Sequence, residues 1–395
     1  MPETTIREVF DREMADIFYR LPTYAFTSTP PMPDPEERRQ SLLRREGARF
    51  YALFEDREPV ACAAITPLTQ NVRGVLFPIY GVFDVVTHPN ARRSGYARRI
   101  LSHLFCQMRE DRRPFTCLYP FRESFYERLG YVAFPHQRVA RFSPQALLPL
   151  LKLPLEGQVD LLPSSEALDQ YHQFLRALRE QVQGMAIFDC EARPRLEKNS
   201  LWFAFARVKG ETAGMMAYQL KGDGPTRFLM QVRHFLYLNA TGKYLLLNWL
   251  ARHADQAEKV ELMNLAPYEL PETWYPDLRV KSETFSIAPM GRVADVSAVA
   301  GLKTGSGGFS ARVSDPACPW NEGIWRFASR RGKLTVAPAQ SADCELTVQG
   351  LSAIVYGTHD PADFAYRGWG RVPDDVRRTI RTMFPPQMPF LHEYF

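Results

Sequence analysis

The segment Val85-Val86-Thr87-His88-Pro89-Asn90-Ala91-Arg92-Arg93-Ser94-Gly95-Tyr96-Ala97 gathers residue types suited to holding a phosphate. A β-branched run stops at Pro89, a polar turn carries paired arginines, and Gly95 stands where an amphipathic helix begins. A strand that feeds a helix through such a turn aims several backbone N–H groups at one point. The helix dipole adds partial positive charge there, which suits a phosphate or pyrophosphate. The plainer alternative is a solvated basic turn. The strand before it and the helix after it favour the cradle.

The surrounding pattern predicts the elements that position this turn. Residues 4–10 alternate as a strand, and the following segment places Met14, Ile17, Phe18 and Leu21 at helical spacing. A proline-rich loop opens at Thr29, and residues 36–47 read as a charged second helix. Residues 50–65 predict a hairpin turning at 56–58, and a long strand over 75–87 leads into the arginine–glycine turn and its helix. Beyond it come a strand over 115–119, a short helix over 121–129 ended by Gly130, and a strand over 131–141. This order resembles the GNAT acetyltransferases. The likeness rests on Arg92-x-x-Gly95-x-Ala97 after one strand and Phe125-Tyr126-Glu127-Arg128-Leu129-Gly130-Tyr131 further on. It implies that Arg92, Arg93, Ser94, Gly95, Tyr96 and Ala97 hold the pyrophosphate of acetyl-CoA. Val85, Val86 and Thr87 would offer backbone groups to its pantetheine arm, as an added strand would.

The rest of the chain predicts two further units. Residues 149–159 read as a linker. A helix over 164–183, a hairpin turning at Lys209-Gly210, strands over 230–238 and 260–262 and a helix over 243–253 echo the first third, so a diverged internal repeat follows. Its turn, Asn239-Ala240-Thr241-Gly242-Lys243, lacks the paired arginines, which reads as a copy without cofactor. After a helix starting at Met290 come short strands over 308–313, 323–328, 333–337 and 344–348 and helices over 349–356 and 373–384. That tail resembles a sterol-carrier-protein-like domain, with Asp315-Pro316-x-Cys318-Pro319-Trp320-Asn321 as its best marker. The fold class is therefore α/β with mixed sheets. Tandem GNAT folds, the second degenerate, occupy 1–147 and 148–287, and a sterol-carrier-like α+β domain occupies 288–395. Together they resemble the Eis family of acetyltransferases, which implies a hexamer.

Acetyl transfer to an amine needs a proton donor for the departing thiolate and a group that takes the proton of the amine. A phenol of pKa about 10 can protonate a thiolate whose thiol titrates near 8.5, and the family match gives that role to Tyr126 rather than a purely structural one. In the Eis family the C-terminal carboxylate serves as general base. The ending Pro389-Phe390-Leu391-His392-Glu393-Tyr394-Phe395 is apolar and aromatic where most termini are polar, so Phe395 is expected to dock and act. Asp84 and Glu393 are candidates for binding a cationic acceptor, Asp84 equally for pairing with a nearby arginine. Tyr19, Phe26, Tyr80 and Phe83 are expected near the acceptor cleft, each more probable as core.

Composition bounds these readings. At 395 residues, 45% apolar, 24% charged and net +5, the chain reads as an ordinary globular protein with no concentrated basic patch for nucleic acid. The cysteines at 62, 106, 117, 190, 318 and 344 are scattered, which predicts reduced thiols and no metal site. No secretory signal or membrane span is apparent, and a cytoplasmic location is expected. The leading reading is an acetyl-CoA-dependent N-acetyltransferase acting on a primary amine, either of a small polycation such as an aminoglycoside or of a lysine side chain. The alternative is a lipid- or ligand-binding protein with GNAT scaffolds.

Overall fold

The computed structural model describes residues 3–27, 32–189, 201–222, 224, 227–285 and 287–395. Part of the proline-rich loop, at residues 28–31, and Cys190 lie outside them. The chain falls into two compact units, Met1–Phe134 with Gln183–Cys190 and Pro289–Phe395, and Pro135–Val182 with Glu191–Ala288.

The first unit opens with strand β1 (Thr4–Val9) and helices α1 (Asp11–Phe26) and α2 (Pro35–Leu43). Strands β2 (Arg49–Glu55), β3 (Glu58–Val72) and β4 (Val75–Thr87) follow, then helix α3 (Tyr96–Glu110) and strand β5 (Phe115–Leu118). Helix α4 (Glu123–Glu127) and the short strand β6 (Val132–Ala133) complete the series. β1 to β5 pair in chain order, antiparallel except for the parallel pair β4–β5. Strand alternation sorts the side chains onto two faces. Tyr51, Leu53, Ala63, Tyr80 and Val82 pack under Ile100, Leu101, Leu104 and Phe105 of α3. Phe50, Ala52, Cys62 and Phe83 pack under Ile17, Phe18 and Leu21 of α1.

Two sequence expectations fail here. Residues 131–141 do not form one strand: β6 belongs to this sheet, whereas Arg138–Phe142 belongs to the sheet of the second unit. Pro135 stands at the break, where its missing N–H ends a ladder. Residues 290–293 form no helix. They are a fully buried strand inserted between β5 and β6. A Cβ on Gly291 would come within 2.6 Å of Phe134 and 2.8 Å of Tyr356, so only glycine lets those rings close over it.

The C-terminal part of this unit is a five-stranded sheet in the order Lys333–Pro338, Gly323–Arg330, Gly308–Ser314, Cys344–Thr347, Gly370–Arg371. Helices Val348–Tyr356 and Asp374–Met383 pack with it. Its core is continuous with that of the first sheet, since Leu68, Ile79, Phe115 and Phe134 share one cluster with Phe309, Leu346, Ile354 and Tyr356. The marker motif of the tail proves to be a staple. Asp315 accepts from buried Arg292 at 2.6 Å and from Asn321 at 2.8 Å, Asn321 accepts from Val296 N–H, and Trp320 donates to Ala294 O.

In the second unit seven strands pair in the order Lys281–Thr284, Arg138–Phe142, Ala257–Leu265, Phe228–Tyr237, Glu211–Lys221, Trp202–Val208, Gln158–Pro163. Helix Ala240–Ala251 crosses between its parallel pair, and helix Ser164–Arg179 matches the expected one in place. Of the expected linker over 149–159, residues 149–152 end a 3-10 turn, Pro144–Lys152, that buries Leu147 and Leu150; residues 153–157 have no regular structure, and 158–159 open strand Gln158–Pro163.

Candidate active site

The site is built where β4 leaves its neighbours. Its ladder with β5 ends at Val82–Leu118, while β4 runs on to Thr87. Against β3 the register slips between Cys62 and Ala64, which pair with Val86 and Phe83. Asp84 is the extra residue of this bulge, with φ +51°. The bulge shifts the alternation by one residue, so Val85 joins Tyr80 and Val82 toward α3 and Val86 joins Phe83 toward α1. The strand thus presents backbone on its free side at Val85 and Thr87.

The turn then forms as expected. After a 3-10 turn at Pro89–Ala91, Arg93 and Gly95 both take left-handed conformations, φ +70° and +79°. Successive N–H groups in such a turn make an anion-binding concavity. No side chain caps α3, so the N–H groups of its first turn keep their capacity for a ligand. A Cβ on Gly95 would meet nothing within 4 Å, so the space in front of the turn is open. Arg92, Arg93, Ser94 and Gly95 are exposed and Ala97 half-buried. Arg92 Nε lies 3.5 Å from Thr87 O, and Tyr96 is buried with its hydroxyl donating to Glu55 at 3.0 Å. These residues fit a pyrophosphate.

Tyr126 lies on α4 against the α3 face, in one cluster with Val82, Leu118 and Tyr96. Phe121, Phe125 and Tyr131 surround its ring at 5.8, 5.0 and 6.0 Å. Only 4% of the residue is exposed. Burial pushes the phenol well above its ordinary range, so it keeps its proton at neutral pH. Gly130 follows at φ +93°, where a Cβ would overlap Arg292 and Val348.

Phe395 lies on the opposite face of β4. Its ring covers Gly81, where a Cβ would come within 2.6 Å of it. The ring also meets Tyr119 at 5.8 Å, just past β5, and Phe188 at 6.4 Å. The segment before it is tied down: Tyr119 donates to Leu391 O at 3.2 Å and Phe390 N–H to Gln183 O at 2.8 Å. Phe395 thus covers Gly81 on one face of β4, and Tyr126 belongs to the core on the other face, the one that holds Val82, where the β4–β5 ladder ends. Gly81 was not singled out in the sequence, although a glycine inside a β-branched run signals a close approach.

Asp84 pairs with Arg38 of α2 at 3.7 Å, and Arg45 lies 4.6 Å over the Phe83 ring. Glu393 is half-buried beside the docked terminus. Tyr19 carries Arg39 over its ring at 5.5 Å, and Phe26 is exposed at the end of α1. Tyr80 does not join them. It points to the α3 face and donates to Asp111 at 2.8 Å, because strand alternation turns it away from Phe83. In the second unit the matching turn is self-satisfied: Asn239 accepts from Gly242 N–H at 3.0 Å, and Lys243 lies over Trp274 and 3.9 Å from Glu269. Among the described residues no three His, Cys, Asp or Glu side chains form a metal-ligand group, and no helix is long and apolar enough to cross a membrane.

Known proteins share this layout. Residues 5–134 and 171–293 each match the model of an acetyltransferase (GNAT) domain, and residues 301–392 that of a sterol carrier protein domain. A protein of Streptomyces avermitilis named an uncharacterized N-acetyltransferase is 24% identical over 322 residues, 72% of this chain and 73% of that one. A probable N-acyltransferase of Enterococcus faecalis V583 superposes over 100% of both chains with a TM-score of 0.83 at 19% identity. Eis1 of Mycobacterium abscessus does so over 100% of both with a TM-score of 0.78 at 17% identity. These structural likenesses show the fold, and the matched domains show the chemistry class. The chain belongs to the GNAT N-acetyltransferases, in the Eis-like arrangement of two GNAT folds followed by a sterol-carrier-protein domain.

Proposed function

We propose that the chain acetylates a primary amine from acetyl-CoA, with Tyr126 as general acid and the carboxylate of Phe395 as general base. The acceptor is a small polycationic molecule of the aminoglycoside kind or a lysine side chain. The observation that carries the reading is the pairing of Tyr126 and Phe395 on the two faces of β4 where β4 and β5 part. Acetyl-CoA supplies an activated thioester. Arg92 to Ala97 hold its pyrophosphate by N–H groups and the helix N-terminus, and Val85 and Thr87 offer backbone to the arm. Asp84 and Glu393 stand beside the acceptor and favour a cation. A carboxylate near pKa 3.5 is a weak base in water, so in this reading it hydrogen-bonds the ammonium and passes the proton on through water. The amine freed of that proton attacks the thioester carbonyl, the C–S bond breaks as the Tyr126 phenol protonates the sulfur, and the second proton lost by the nitrogen returns to the phenolate, so that amide, CoA thiol and one proton result. We extend the proposal to 1–147 as the catalytic domain, to 148–287 as a copy without cofactor, and to a cytoplasmic hexamer, whose mass light scattering reads directly.

Extending the chain beyond Phe395 by three residues tests the base. Turnover should fall about 10²–10⁴-fold, the range of a lost general base, while acetyl-CoA still raises the melting temperature. Unchanged turnover removes Phe395 from the mechanism. A panel of amines followed by CoA release assigns the acceptor. If no amine turns over and acetyl-CoA gives no thermal shift, the transferase reading fails.

A further inference from the structure

The short helix that carries Tyr126 is gripped from the C-terminal domain. Gln349 Nε2 donates to the backbone carbonyl of Glu127 at 2.7 Å, and Trp369 Nε1 donates to the Glu127 carboxylate at 3.0 Å. Ser352 Oγ accepts from Val293 N–H at 3.0 Å and lies 3.4 Å from Gly130 O, on the turn that follows. Trp369 is 3% exposed and fixed by Phe364 and by His359, whose ring stands edge-on at 4.9 Å. α4 itself spans only Glu123–Glu127 and has no side-chain cap, so its own hydrogen bonds hold it weakly. Local backbone N–H groups of Leu129, Gly130 and Tyr131 close on Tyr126 O and Glu127 O, and side chains at 349, 352 and 369 add the grip from outside the helix.

We propose that Gln349 and Trp369 are positioning residues for acetyl transfer. By holding Glu127, they fix the neighbouring phenol at the angle the leaving sulfur requires. The sterol-carrier-protein domain thereby works as a frame for the acid of the first domain. This rests on the reading of Tyr126 as that acid. Catalysis is sensitive to misplacement of this order, since a displaced proton donor loses its hydrogen-bond geometry before it loses its binding site.

The test uses the full chain with Trp369→Phe, which keeps a ring and removes the N–H, Gln349→Ala, and the pair Glu127→Ala and Glu127→Gln. The Glu127 pair probes the same grip from a half-buried side chain without opening the core. Trp369→Phe and Glu127→Ala should each lower kcat about tenfold with the KM for acetyl-CoA unchanged, while Glu127→Gln, which keeps an acceptor oxygen, restores it. In a Tyr126→Phe background the same changes should alter kcat less than about twofold, because the group they position is gone. An equal loss in both backgrounds, or no loss in either, overturns the proposal. A Tyr126→Phe chain with full kcat would overturn the acid reading itself, which separates the two failures.

Discussion

At the scale of single residues, the site depends on two glycines with opposite reasons. Gly95 meets open space but has φ +79°, so its role is conformational and its lack of a side chain keeps the turn accessible. Gly81 has no such φ; there a Cβ would collide with the Phe395 ring. Gly95→Ala should therefore cost about 1 kcal/mol of stability for a left-handed alanine. It should also weaken acetyl-CoA binding about tenfold, since the methyl group stands in front of the first-turn N–H groups. Calorimetric titration measures the second effect; unchanged affinity would move the pyrophosphate off this turn. Gly95 was legible from its place between paired arginines and a helix. Gly81 was not, because what covers it lies at the far end of the chain.

At the scale of elements, the β3–β4 hairpin does more than reverse the sheet. Its two turn residues, Arg73 and Gly74, both have positive φ, as a tight hairpin turn requires. Arg73 spends that unfavourable conformation on reach. Its guanidinium is buried and donates to Ile354 O, Val355 O and Pro385 O, at the end of helix Val348–Tyr356 and the start of the terminal segment. Burial pulls its pKa down to about 10, so it stays charged at neutral pH. Arg73→Met should destabilise the chain by about 3 kcal/mol, because buried carbonyls lose their donor. The urea midpoint reads this loss. A second readout is turnover, which should fall further than stability alone explains, since Pro385 begins the segment that seats Phe395. A stable variant with full turnover would show that the terminus seats itself.

At the scale of the whole unit, acid sensitivity follows from a half-buried histidine in the frame. Burial holds His359 down to about 4, against about 6.5 when unfolded. A depressed histidine is neutral in the native state, so the unfolded chain takes up its proton first. Its contribution to stability is complete above about pH 6.5 and is lost as pH falls toward about 4. Denaturation midpoints at pH 7 and pH 5 should differ more for the natural chain than for His359→Gln. Equal slopes would place the acid sensitivity in other groups. Because His359 packs on Trp369, the same protonation should lower kcat if Trp369 positions Tyr126.

The sequence by itself determined what is written locally. Strand and helix periods laid out the order of elements, because hydrophobic period and turn chemistry act over a few residues; the arginine–glycine turn and the Phe125-Tyr126 element carried the resemblance to GNAT folds, and Asp315 to Asn321 that of the tail to a sterol-carrier domain. Tertiary structure alone decided the rest. Met290–Val293, read in the sequence as the start of a helix, became a strand because β5 and β6 leave room for one and Gly291 admits two rings. Asp315 to Asn321 became a staple because Arg292 had to be paired once buried. Tyr126 and Phe395 came to one strand from positions far apart in the chain. No local rule encodes that meeting: it depends on a shared core, on carbonyls that accept from Arg73 and Gln349, and on the Glu127 carboxylate that accepts from Trp369.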